Sequence, residues 1–503
     1  MHPIAPITLE IIVLTLGVFL LLAESFSKSG DKSWMPKTAI FVLFWVFAIS
    51  FFTPGNPTTP EPSGFWHFYS ADPTALFFKR IALLTTVVVL VMCMEYKGVV
   101  QRFIPGVNPG DGMGEFYSLP VFTCAGLMFM ASAVDFLLIF VSLELVTISF
   151  YILVAYMRRN PASLEAGVKY LILGALSTGF LVYGITWIFG VTGETNLQSI
   201  GEKVAQLQGS QTPLLFGVML VLVGLGFKVA AAPFQLWVPD VYQGAPTPIT
   251  AFLSVGSKAA GFIVLMRVLE PFLVAPAISE KILGMVAILA ALSLIYGNLA
   301  AMPQDNLKRL LAYSSIAHAG YILVAVASVS SQVGQVGSAE VAIGYYLAGY
   351  LLMTLLSFLV LVVVARHSRG DDIIHFNGLS KRSPFLAFGM LIAMLSLAGI
   401  PFTAGFYGKF LVFAAAVKQQ HFILAAIGAV TVAAGFYYYL RVVSAMYWQE
   451  PNDDTVITVS PLTRLVIGLL AAAIIFFGIF PQSILGTLRS AHQSAPAVVA
   501  NSR

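Results

Sequence analysis

Cysteine is nearly absent: the 503 residues include only Cys93 and Cys124, both inside apolar sequence. An all-cysteine iron–sulfur cluster needs four thiolates, so that class of site is excluded, and a disulfide scaffold has no support. The two read as inert buried thiols. Charge is also scarce, at 10% of residues, against about 25% in a soluble domain. No Lys or Arg precedes the first apolar run, which opens MHPIAPITLE and ends without an A-x-A cleavage pattern, so the first helix is expected to be retained. There is no P-loop, and Gly110, Gly112 and Gly114 fail as a dinucleotide fingerprint because no strand precedes them and the spacing is wrong. Hydrolase triads, zinc sites and flavin motifs have no counterpart either. No cofactor or metal is expected to bind this chain.

What the chain has instead is apolar sequence, at 58% of residues. Its hydrophobic runs and polar punctuation predict an all-α polytopic membrane protein of about fourteen transmembrane helices. Two Gly/Pro loops, Thr53–Gly64 and Pro105–Gly114, read as connectors. The net charge of +4 serves as topology information, with no footprint for nucleic acid. Lys28, Lys32, Lys37, Lys97, Arg102, Arg158, Arg159, Lys308, Arg309, Arg366, Arg369, Lys381 and Arg382 fall in odd-numbered loops, and only Lys203, Lys281 and Lys418 in even ones. The positive-inside rule therefore places odd loops in the cytoplasm and both termini outside.

The chain is organised around Met219–Phe262, two apolar runs that each carry one lysine, Lys228 and Lys258. A lysine at the centre of a span costs about 2.5–3.5 kcal/mol on insertion scales, so two in adjacent spans imply an internal, hydrated site. Pro233 removes a backbone donor and crowds the carbonyl of Val229, which predicts a broken helix beside Lys228. No interruption is expected beside Lys258, where Gly256, Ser257 and Gly261 leave room for water. A second break is expected at Pro401, among Gly399, Gly405 and Gly408, with Lys409 just beyond it. The two breaks lie five spans apart, and an odd number of spans turns the second copy upside down. The expected organisation is three N-terminal helices in 1–116, two inverted five-helix repeats in 117–270 and 271–448, and a last helix with its tail in 449–503.

The remaining buried groups complete a candidate proton-transfer route. Glu144, mid-span, needs a cation or a change of protonation, and Lys228 is its expected partner, either as a proton valve or as a fixed ion pair. Tyr313, Ser314, Ser315 and His318 fall within a turn or two of one another and could hold a chain of waters. Lys258 reads as a relay, snorkelling being the alternative. Lys169 fits an interfacial lysine or a pathway residue, and Asp135, Lys79 and Arg80 fit span ends.

Four motifs, SLELVTISFYIL, LGFKVAAAPFQLWVPDVYQGAPTPITAFLSVGSKAAGF, LAYSSIAHAGY and AGIPFTAGFYGKF, resemble the subunit N family of bacterial respiratory complex I, the NADH-quinone oxidoreductase. The similarity runs over essentially the whole chain. It implies an antiporter-like proton channel of the inner membrane, driven by quinone reduction elsewhere, with Glu144 and Lys228 as a paired switch, Lys258 connecting, His318 a central relay and Lys409 on the exit side. It also implies the M and K subunits as neighbours, contact with the lateral helix of the L subunit, and NADH, FMN, iron–sulfur clusters and quinone held in other subunits. Subunit M has glutamate where Lys409 stands, and subunit L has a long C-terminal extension. The family often has histidine where this chain has Gln235, which can hydrogen-bond but cannot titrate. A subunit of a multisubunit cation/proton antiporter is the alternative reading.

Overall fold

A computed structural model describes residues 7–26, 32–53, 67–105, 112–329, 338–368, 370–451 and 455–493. Lys28, Arg369, positions 54–64 of the first Gly/Pro loop and 106–111 of the second lie outside the described residues. Among the described residues the regular structure is helical, and only isolated β-bridges interrupt it. The chain starts with α1 (Thr8–Phe26), α2 (Trp34–Ile49), α3 (Pro73–Phe103), α4 (Met113–Ser132), α5 (Phe136–Val154) and α6 (Pro161–Thr192). Short α7 (Leu197–Ala205) leads to α8 (Thr212–Val229), then α9 (Val238–Gly244), α10 (Thr247–Phe252) and α11 (Lys258–Leu269). The second half holds α12 (Pro276–Ala301), α13 (Leu307–Ala327), α14 (Ser338–Ser368), α15 (Leu379–Arg382), α16 (Pro384–Ala398), α17 (Ala404–Lys418), α18 (Phe422–Trp448), α19 (Pro461–Ile479) and α20 (Gln482–Gln493). Ten of the described helices, and the segment Thr247–Phe272 formed by α10 and α11 together, are long and apolar enough to cross a membrane, eleven spans in all, and α2 and α16 are shorter apolar helices.

Polar residues at the loop edges start these helices. Asp72, Asp135, Asn160, Asn196, Asn306 and Ser460 each accept a hydrogen bond from a first-turn amide, which satisfies donors that an apolar surrounding would leave bare. Small residues then let the helices close up. A Cβ on Gly297 would meet the Ala317 amide nitrogen at 2.5 Å, and one on Gly184 the Gly217 carbonyl at 2.6 Å, so α12 packs tightly on α13 and α6 on α8. α13 is buried along its length and α14 nearly so, while α6 and α19 turn most of their apolar surface outward. Such exposed apolar faces suit lipid or neighbouring subunits.

Two helices are broken inside this bundle. α8 stops at Val229 with Ala230 left-handed at φ 64°, and the chain runs irregularly to α9 through Pro233. α16 stops at Ala398 with Gly399 at φ 91°, and α17 resumes at Ala404 beyond Pro401. The backbone beside Lys258 differs from expectation. One turn of π-helix, Leu253–Ser257, joins α10 to α11 immediately before that lysine. Gly256 permits it, because a Cβ there would meet the Phe252 ring at 2.9 Å, and no proline marks such a bulge in the sequence.

Gly405 is the tightest point of the second break: a Cβ there would sit 1.9 Å from the Ser396 carbonyl. Gly405→Ala should destabilise the protein by about 1–3 kcal/mol, the usual range for overpacking. Gly468→Ala, which enters open space, should be neutral or slightly stabilising. Thermal unfolding of the two purified variants in detergent checks this contrast; equal melting points would refute it.

Candidate functional site

Each interior lysine has found an oxygen. Lys228, at the end of α8, donates to Thr147 Oγ1 on α5 at 2.8 Å. Lys258 donates to both the carbonyl and the hydroxyl of Ser315 on α13. Lys409 on α17 donates to the carbonyls of Leu397 and Ala398 at 2.9 and 2.8 Å. Those two carbonyls belong to the last turn of α16, where no following amide reaches them, so the break itself supplies the ligands. A cation there also meets the negative end of the helix dipole. All three lysines are at most 7% exposed, which removes snorkelling as an account of Lys258.

The direct Glu144–Lys228 contact expected from the sequence is not formed. Glu144 instead accepts from Thr178 Oγ1 of α6 at 3.0 Å and is partly exposed, within electrostatic reach of Lys228. The reason is helical geometry: Thr147, one turn beyond Glu144 on α5, occupies the position nearest Lys228. Lys228 and Lys258 approach through Gly261. A Cβ on that glycine, one turn beyond Lys258, would lie 3.8 Å from Lys228 Cβ.

From Lys258 onward hydroxyl groups are closely spaced. Ser315 also meets the Tyr242 and Tyr350 hydroxyls at 3.2 and 3.0 Å, and Tyr350 contacts Ser254 of the π-turn at 2.9 Å. His318 holds Tyr346 through Nδ1 at 2.7 Å and Tyr439 through Nε2 at 3.1 Å. Ser314 bonds the same Tyr439 hydroxyl. Tyr321 lies beside His318, and Lys409 Nζ sits 5.1 Å from the Tyr321 ring centre. These groups, all buried, form two hydrogen-bonded clusters between Lys258 and Lys409, one around Ser315 and one around His318, which meet where the Tyr350 and His318 rings pack 5.0 Å apart; within each cluster a proton can pass by donor–acceptor reversal, because each hydroxyl both gives and accepts.

Not every expected residue joins them. Tyr313 faces away, edge-on to Tyr296 and beneath the Arg309 guanidinium. Lys169 is substantially exposed and paired with Glu165 and Asp240, each at 2.7 Å. Arg309 reaches the other oxygen of Asp240 at 2.9 Å, so α6, α9 and α13 are tied together beyond the first break. Pro233 and Pro401 serve the backbone, and Gln235 is buried with Oε1 unpartnered among the described residues. Thr147, Thr178, Tyr242, Tyr346, Tyr350 and Tyr439 escaped the sequence reading. Tyr346 and Tyr350, one turn apart in a long apolar run, were the available signal. No group of three or more His, Cys, Asp or Glu suited to a metal occurs among the described residues.

Broken helices around a file of buried lysines and hydroxyls define an antiporter-like, multi-pass membrane subunit. A family model described as NADH:quinone oxidoreductase/Mrp antiporter, TM, matches residues 133–437. NADH-quinone oxidoreductase subunit N of Trichlorobacter lovleyi is 42% identical over 481 residues, spanning 95% of this chain and 94% of that protein. The chain belongs to the NADH-quinone oxidoreductase subunit N family. A chain in the structure of respiratory complex I from Thermus thermophilus with bound aureothin superposes with a TM-score of 0.78 at 32% identity, covering 95% of this chain and 99% of that one. A chain of the Mrp complex from Dietzia sp. shares the fold, with a TM-score of 0.77, 18% identity and 97% of each chain covered.

Asp240 lies between the apolar spans. Burial raises its carboxyl affinity for protons, but the hydrogen bonds from Lys169 and Arg309 outweigh this and hold it below the ordinary carboxylate range. The stabilisation is therefore complete above the unfolded-state value and is lost as pH falls through the lowered one. The melting temperature in detergent should vary little with this group between about pH 5 and 8 and drop in acid. Asp240→Asn should melt lower at neutral pH and show a smaller acid-side drop; a neutral-pH melting point equal to wild type would refute the tie.

Proposed function

We propose that this chain is a proton-translocating membrane-arm subunit of NADH-quinone oxidoreductase, in which Glu144, Lys228, Lys258, His318 and Lys409 carry the proton route. Electron transfer and its cofactors, NADH, FMN, iron–sulfur clusters and quinone, belong to other subunits. The single observation that carries this reading is the row of buried hydroxyls and imidazole lying between Lys258 and Lys409, two hydrogen-bonded clusters that meet at the Tyr350 and His318 rings. Lysines placed only for packing would not need it. Lys258 and Lys409 both lie within electrostatic reach of His318, so a proton arriving at one station disfavours a charge at the next. Glu144 at the edge of the bundle is the input, acting on Lys228 through space across Thr147. Ser314, Ser315 and the buried tyrosines support the relay. Lys169 anchors the region of the first break, and Tyr313 stays outside the route.

The proposed organisation is fourteen crossings, the eleven long spans with α2, α4 and the broken pair α16–α17, arranged as three N-terminal helices, two inverted repeats over 117–270 and 271–448, and a last helix. Paired caps support the repeats. Asp135 caps α5 and bridges to Asn196 after α6, as Asn306 caps α13 and bridges to Asp372 after α14. Counted from those caps, Glu144 corresponds to Ser315 and Thr147 to His318. Both termini lie on the outer side of a bacterial inner membrane. The exposed face of α5 and α6 beside Glu144 suits the K subunit, the opposite end of the route suits M, and the lateral helix of L runs alongside.

Lys228→Met, normalised to assembled complex, should abolish most of the NADH-driven pH gradient in inverted membrane vesicles, and Glu144→Ala should impair it similarly. Unchanged gradients in both would sink the route. Cation-driven proton exchange that persists without the other NADH-quinone oxidoreductase subunits would favour a subunit of a multisubunit cation/proton antiporter instead.

A further inference from the structure

A second set of buried ionisable groups lies away from this route, where α1 and α3 begin. Glu10, in the first turn of α1, and Lys79, two turns into α3, are each 0% exposed and form an ion pair at 2.7 Å. The Tyr69 hydroxyl accepts from Lys79 at 2.7 Å and donates to Glu10 Oε1 at 3.1 Å. A neighbouring pair, Asp72 and Arg267 at 2.6 Å, is more open, with Ser70 donating to Asp72 at 3.0 Å. Arg267 is on α11, the helix of Lys258.

A structural clamp explains this poorly. A buried ion pair is often no more stabilising than apolar residues of the same volume, and it profits only when its remaining lone pairs are satisfied. Here they are not. Glu10 Oε2 is fully buried and without a hydrogen-bond partner among the described residues, and the Ser132 hydroxyl lies beside Tyr69, whose own hydroxyl bonds Glu10. A bare carboxylate oxygen beside two hydroxyls offers the two to four partners that a buried water requires. The pair is also suited to moving a proton. Ionic Glu10–Lys79 and its neutral form differ only in where one proton sits, and Tyr69 bonds both ends, so the exchange introduces no net charge. Asp72, whose side chain is 19% exposed, neighbours this pair on a more open side. In the other direction Thr86, two turns along the same face of α3, lies beside Cys124, which is itself within reach of Glu10.

We propose that Glu10, Lys79, Tyr69 and Ser132 form a hydrated acid–base site through which protons exchange with the aqueous phase at the end of the bundle where α1 and α3 begin. This rests on the proton-translocating reading above and adds a station to it in the N-terminal helices.

The test uses the assembled complex in inverted vesicles and reads the NADH-driven pH gradient per complex for Glu10→Gln, Tyr69→Phe and Lys228→Met. With Lys228→Met collapsed, the gradient in the first two should fall roughly two-fold or more, since losing a positioned acid or base slows a limiting proton transfer by about 10²-fold. A collapsed Lys228→Met beside wild-type gradients in Glu10→Gln and Tyr69→Phe overturns this site and leaves the main route standing. A wild-type gradient in Lys228→Met overturns the route itself. If Glu10→Gln fails to assemble, Tyr69→Phe, which removes only the bridging hydroxyl, decides. Hydroxyl-radical footprinting of the wild-type complex gives a reading that needs no variant: Tyr69, only 4% exposed, is labelled if bound water sits beside it, and an unlabelled Tyr69 overturns the proposal.

Discussion

A cation held inside an apolar bundle must be given oxygen ligands, and an intact helix has none to spare because its carbonyls are already bonded to its own amides. Two sources remain, side-chain hydroxyls and helix ends brought into the interior. Lys228 and Lys258 use the first, through Thr147 and Ser315. Lys409 uses the second, at the two carbonyls freed where α16 stops. Lys308 does something similar at the end of α9, donating to the Ala245 carbonyl while pairing with Asp371. At about 2.5–3.5 kcal/mol for each unsupported lysine at mid-membrane depth, these ligands decide whether the bundle can hold its charges at all.

The breaks in turn dictate the packing around them. A helix end inside the bundle exposes amides and carbonyls that must be covered closely, so the surrounding contacts are backbone against backbone. Gly405 lies against the Ser396 carbonyl and Gly478 against Phe402 and Thr403 for this reason, with no room for a side chain. Ser396 contributes further by accepting from the Gly405 amide. At the first break the Ala232 amide donates to Ser293 and Trp237 donates to the Phe227 carbonyl. These donors of the broken segments are thus met by specific partners, which hold the irregular backbone in one arrangement.

That arrangement has a direction. Glu144 sits at a partly exposed edge, Lys228 behind it with a single hydroxyl ligand, and from Lys258 inward the groups are wholly buried, in two hydrogen-bonded clusters that touch through the Tyr350 and His318 rings. Charge introduced at the edge therefore acts across a gap, whereas a proton within the interior can move along contacts. The π-turn before Lys258 lies where these two regimes meet.

Much of this was legible in the sequence. Apolar runs too long for a soluble core marked the spans, and prolines set beside glycines or a lysine in two of them marked the breaks, whereas Pro120 sits inside the unbroken α4. Lysines and a glutamate in the middle of such runs marked the interior, because their desolvation cost depends on depth alone. What those groups would touch was not written locally. That Thr147 takes Lys228 in place of Glu144, that Ser315 serves Lys258 while Tyr313 turns away, and that tyrosines of α14 and α18 enclose His318 depend on which helix faces meet, across separations of up to 121 residues. The π-turn escaped for the same reason: it is an adjustment of register to the neighbours of Phe252 and Gly256, and only the packed bundle supplies those neighbours.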